Sequence, residues 1–83
     1  MEWPGWWAWE LDMSSHVKKR MIDRDFTEVD LRTMMQDAIG FHPDVVNGRW
    51  VIEVRRAGKP WEVIVEPNAP AKRLVVITAY PLT

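Results

Sequence analysis

Cysteine is absent from the 83 residues, which removes disulfides, thiolate zinc sites and cysteine nucleophiles together. That absence fits a reducing compartment. No stretch approaches the ~18 consecutive apolar residues of a membrane-spanning helix. Glu2 and Glu10 lie where a secretory signal would carry positive charge and then an apolar run. The expectation is a cytoplasmic protein with no membrane contact. A broad excess of positive charge is also lacking, since the formal net charge is −1. Residues 1–40 hold five Lys/Arg against eight Asp/Glu, and residues 41–83 hold six against four, so the halves carry −3 and +2. A protein that grips RNA or DNA through many phosphates shows a basic face. The balance argues against a broad nucleic-acid binder and leaves room only for a local basic cleft. At this length the chain has one hydrophobic core and a single domain over residues 1–83. A chain so small buries roughly 60% of the surface its unfolded form exposes, so a dimer or a heteromeric partner would add useful buried area.

What is present in excess is tryptophan. Residues 1–13 hold Trp3, Trp6, Trp7 and Trp9, and from Trp7 the large apolar residues alternate through Trp9, Leu11 and Met13. A period of two predicts a half-buried strand entered through Pro4-Gly5. These indoles build either a wall of the core or an exposed patch, and the cost of exposing tryptophan favours the wall. Ser14 and Ser15 supply an N-cap for a short helix over residues 16–24, with Val17 and Met21 on one face. Thr27 with Asp30 approximates a capping box, and Leu31, Met34, Met35, Ala38 and Ile39 follow at helical spacing. Gly40 suits a left-handed stop. Beyond it the period returns to two. Residues 49–56 alternate around Trp50, Ile52 and Val54, and Trp61, Val63 and Val65 alternate after the Ala57-Gly58-Lys59-Pro60 turn. The apolar run Leu74-Val75-Val76-Ile77 leads into Thr78-Ala79-Tyr80 before Pro81. The predicted fold is α+β: an N-terminal strand, two short helices, then a three-stranded antiparallel meander.

Few residues suggest chemistry. His16, Arg20 and Arg24, spaced by four, form one helical stripe on the side away from Val17 and Met21. An imidazole moves protons near neutral pH, and two guanidiniums hold a phosphate and its developing charge, so the spacing suits phosphodiester cleavage. A solvated helix face paired to Asp12, Asp23 or Asp25 explains the same residues. Thr78 and Tyr80 point to one side of the last strand, where a hydroxyl orients a phosphate or water; β-favouring packing explains them equally. Arg49 and Arg55 serve either as phosphate contacts on the sheet or as ordinary strand exteriors. His42 has no second histidine at ligand spacing, which argues against a metal site. Glu53, Glu62 and Glu66 would supply acid–base pairs if two met across the hairpin, or would pair with Arg49, Arg55 or Arg56. The chain contains no Gly-rich phosphate loop and no Ser/His/Asp arrangement of recognisable context.

The run His16-Val17-Lys18-Lys19-Arg20-Met21-Ile22-Asp23-Arg24, then Gly48-Arg49, Trp61-Glu62-Val63-Ile64-Val65 and Val76-Ile77-Thr78-Ala79-Tyr80, resembles a family of small bacterial domains of unknown function. Their pattern is His-x3-Arg-Met-x2-Arg, a helix, and a terminal Val-x-Thr-x-Tyr strand. That family is similar to the RelE-like and BrnT-like toxins, in the group of metal-independent ribonucleases that includes barnase and colicin endonuclease domains. The resemblance implies a helical pair on a twisted antiparallel sheet, an RNA substrate, an antitoxin partner and no cofactor. It assigns His16, Arg20, Arg24 and Thr78 to the active cleft, with Arg49 and Tyr80 as substrate contacts. The chain departs from RelE-like toxins in being slightly acidic and in its Trp-rich beginning.

Two readings follow. In one, the chain is a metal-independent endoribonuclease-like toxin with His16 as general acid or base. In the other, it is a non-enzymatic interaction module whose Trp-rich segment, through Trp3 and Trp6, binds a second copy or another protein.

Overall fold

The computed structural model describes residues 2–82. After a 3-10 turn at Gly5–Ala8 the elements are β1 (Glu10–Met13), α1 (Ser15–Asp23), α2 (Glu28–Gln36), β2 (Gly40–Pro43), β3 (Trp50–Arg56), β4 (Lys59–Asn68) and β5 (Arg73–Pro81). The expected α+β order is present. The sheet has five strands in the order β1-β5-β4-β3-β2, with β1 parallel to β5 and every other pair antiparallel.

The alternation read in the sequence decides the two faces of this sheet. Ile52 pairs with Val63, which pairs with Ala79, and Trp50 pairs with Val65, which pairs with Val76. All are buried or half-buried, and with Leu74, Val54 and Trp61 they form the wall on which the helices pack. Val17 from α1 and Leu31, Met34 and Met35 from α2 complete the core, and Phe26, between the helices, meets Trp61 edge-on at 5.4 Å.

Two local features of these elements depart from the sequence reading, and a third completes it. The Trp-rich beginning is not strand throughout: Pro4 accepts from the Trp7 N–H and Trp6 from the Trp9 N–H, closing the 3-10 turn, and only Glu10–Met13 pairs with β5. Met1, placed in that strand by the sequence, lies outside the described residues. The turn carries the indoles across the core face, so that Trp6 meets Trp50 at 5.6 Å, while Trp3 stacks on Trp7 at 4.3 Å and meets Phe41 at 5.0 Å. The second helix ends at Gln36 with Asp37 as its C-cap, so Ile39 is largely exposed and Gly40 opens a strand instead of stopping a helix. The capping box is complete, because Thr27 Oγ1 accepts from the Asp30 N–H and Asp30 Oδ2 accepts from the Thr27 N–H.

Strand β2 was not expected, and Pro43 explains both its concealment and its place. Asp44 donates its N–H to the Arg49 carbonyl, two residues beyond the paired His42 and Val51. N–H groups of an antiparallel strand turn toward the same neighbour at every second residue, so the donor Pro43 lacks would have pointed into solvent. A proline is therefore tolerated there and also blunts the sheet edge.

Candidate functional site

Ser14 joins α1 to the sheet. Its Oγ accepts from the Val17 N–H as an N-cap and donates to the Ile77 carbonyl at 3.0 Å, while its N–H donates to the Val76 carbonyl. Since β1 pairs with β5 only through Val76, α1 takes over along the remainder of that strand edge. Arg24, at the other end of the helix, donates from Nη1 to the Ala79 carbonyl at 3.1 Å. The exposed edge of β5 is thus closed by a hydroxyl and a guanidinium instead of a further strand.

This docking changes the reading of the His16–Arg20–Arg24 stripe. Each step of four residues advances about 40° around a helix, so Arg24 falls only about 20° from Val17 while His16 lies about 100° away. His16 is exposed, whereas Arg20 and Arg24 are half-buried, and Arg24 reaches the sheet. Only His16 faces away from the core. Arg20 is held by the Asp23 carboxylate, and its Nε–H approaches His16 Nε2 at 3.5 Å, a long contact. Two of the three stripe residues therefore touch each other, and the third is committed to the strand.

Thr78 and Tyr80 are together on one side of β5, as their spacing predicts. That side is the one away from α1 and α2. The register passes from Ile64 paired with Thr78 to Val65 paired with Val76, leaving Ile77 as an extra residue. This bulge turns Ala79, instead of Thr78 and Tyr80, toward the helices, where Ala79 is fully buried. The candidate residues are consequently divided: His16, Arg20 and Arg24 lie on the helix layer and along the strand edge, and Thr78, Tyr80 and Arg49 belong to the opposite sheet face.

On that opposite face His42, Val51, Ile64 and Thr78 form one cross-strand row, with Gly40, Glu53, Glu62 and Tyr80 beside it. Val51 and Ile64 are buried although no helix covers them. Around them lie two charged or polar pairs. Arg49 Nε donates to Glu66 Oε1 at 3.2 Å, and the Tyr80 hydroxyl donates to Glu62 Oε1 at 2.8 Å. Burial, then the Glu62 hydrogen bond and the negative charges of Glu62 and Asp44, push the Tyr80 phenol up to about 12. It remains a protonated donor at neutral pH.

The sequence left Glu62 as one of several strand carboxylates. Its partner Tyr80 was visible as a residue, but the register that joins them across β4 and β5 was not. Glu53 and Glu62 do meet across the hairpin as directly opposed residues. Like charges so placed destabilise a sheet, and the Tyr80 hydroxyl gives one of them a donor. Among the described residues no three His, Asp or Glu side chains gather as metal ligands, and no helix is long and apolar enough to cross a membrane. The family models, curated proteins and solved structures compared with this chain include no match.

Proposed function

We propose that the chain is a non-enzymatic protein-interaction module working in the cytoplasm, with its contact surface on the aromatic cluster of Trp3, Trp6, Trp7, Phe41 and Trp50. The observation that carries this reading is the half-burial of all five rings within one connected cluster. Each ring keeps part of its apolar surface in water, and tryptophan so presented is the residue type that dominates protein interfaces. The cations that a phosphate-binding cleft would need are dispersed: Arg24 donates to the Ala79 carbonyl at the strand edge, and Arg49 pairs with Glu66 on the opposite face of the sheet. A second copy of the chain is the simplest partner. Sedimentation velocity over a wide concentration range is the test. A mass above the monomer that Trp3→Ala abolishes, with the far-ultraviolet spectrum unchanged, is the expected outcome; a monomer at every concentration removes self-association through this surface.

One observation favours the ribonuclease-like toxin as a second reading. His16 is exposed beside Arg20 on a helix that also presents Lys18 and Lys19, the densest positive charge in a chain of net charge −1. In that reading His16 transfers the proton, Arg20 binds the scissile phosphate, RNA is the substrate, and an antitoxin covers α1. Growth of a bacterial host expressing the wild-type chain beside His16→Ala tests it. Arrest by wild type alone, at equal soluble protein, supports the toxin; equal growth with both overturns it.

A further inference from the structure

Between the Trp-rich segment and α2 the surface is indented over the margin of the core. A cavity of about 210 Å³ opens there to solvent. Its floor is Leu11, Leu74 and Met35, of which Leu74 is fully buried and Met35 nearly so. Its walls are the indoles of Trp7 and Trp9, and at its rim stand Arg32 and Gln36, one turn apart on the same side of α2. The lining combines apolar and aromatic side chains with two polar ones contributed by α2, a mixture found in small-molecule sites.

Size and charge narrow the occupant. An apolar cavity of about 150 Å³ accommodates benzene, so this one has space for a six-membered ring bearing one small substituent. Indole walls favour a flat aromatic group, which gains from stacked or edge contacts as well as from burial. The guanidinium of Arg32 offers the planar fork that matches a carboxylate. Its present partner is Glu28 at 3.4 Å, in a pair about half exposed on both sides. Such pairs are weak and exchange readily. The Gln36 amide adds a neutral donor beside it.

We propose that this cavity is a binding site for a small aromatic monocarboxylate, the ring lying between Trp7 and Trp9 over Leu74 and the carboxylate on Arg32. The site shares Trp7 with the aromatic surface invoked for protein contact but is otherwise built from residues outside that cluster, Trp9, Leu11, Arg32, Met35, Gln36 and Leu74, and its test reads ligand binding instead of mass. It also explains why Trp9, outside the stacked cluster, is only half-buried: its ring is a wall of the site as well as part of the core margin.

The test is a titration of the ¹⁵N-labelled full chain with benzoate, following the indole N–H resonances. Benzoate is expected to shift those of Trp7 and Trp9 saturably and to leave that of Trp61, buried across the core, unmoved. Benzamide, which keeps the ring and loses the charge, is expected to bind about tenfold more weakly, as is benzoate to Arg32→Gln, since a charge-assisted hydrogen bond is lost in each case. Arg32 is exposed, so the variant's unliganded spectrum serves as the check on its fold. No saturable shift at Trp7 or Trp9 overturns the site. Equal affinity for benzoate and benzamide in both proteins overturns the assignment of the carboxylate to Arg32.

Discussion

Tyr80 is the titratable residue whose surroundings change its chemistry most. With its phenol raised from 10.0 to about 12, the folded chain keeps a proton that the unfolded chain releases. Its stabilisation is therefore complete below pH 10 and disappears as pH rises toward 12. Thermal melts between these values should show a falling midpoint in the wild type and a flatter one in Tyr80→Phe; parallel curves would mean that Glu62 and burial do not hold that proton. As a phenol that stays protonated, Tyr80 donates hydrogen bonds and does not serve as a base. Its side of the sheet was hidden in the sequence for a definite reason. Leu74-Val75-Val76-Ile77 reads as a continuous apolar run without alternation to fix its faces, and nothing in it marks Ile77 as the bulge that sends Thr78 and Tyr80 away from α1. The helical stripe misled differently: a spacing of four drifts around the helix, so Arg24 reaches the strand while His16 stays in water.

At the scale of elements the two helices depend on their caps. Each spans nine residues, too short to persist alone in water, so the ends and the buried face must both contribute. Thr27→Ala removes one half of the capping box and should cost about 1 kcal/mol. Ser14→Ala should cost more, because the same hydroxyl also donates to Ile77 across the junction with β5. Equal losses in urea denaturation would show that the bond to the strand contributes nothing. Asp30 adds a pH dependence of opposite sign to that of Tyr80. The Thr27 backbone N–H first, then its side chain and the charge of Arg56, hold the Asp30 carboxyl below its ordinary 3.8. Its contribution is present above that value and lost as pH falls through the lower folded value. These caps were legible because capping is local chemistry written in three or four consecutive residues. The strand order was not: β1 joins β5 across some sixty residues of chain, and β2 presents only Phe41 with a proline at its end.

On the scale of the whole molecule the question is whether the Trp-rich segment belongs to the fold or merely lies on it. The accessible surface is 5296 Å² for 9.8 kDa, against about 5,200 Å² for a typical folded monomer of that mass. The radius of gyration, 11.9 Å, likewise matches the roughly 12 Å of a close-packed domain of this length. The chain reaches this compactness with the indoles folded against Phe41 and Trp50, covering the part of the sheet that α1 and α2 leave bare. If the segment is integral, Trp6→Ala exposes Trp50 and should cost about 2 kcal/mol, less than the roughly 3–5 kcal/mol of a fully buried tryptophan because Trp6 is only half-buried. In a domain of this size that lowers Tm by roughly 10 °C. Ile22→Ala, at a residue 84% exposed, is the control and should leave Tm nearly unchanged. A Trp6→Ala midpoint equal to that of Ile22→Ala would mean that the segment contributes little to stability. The aromatic cluster would then be a surface held ready for a partner instead of the third piece of the layer over the sheet.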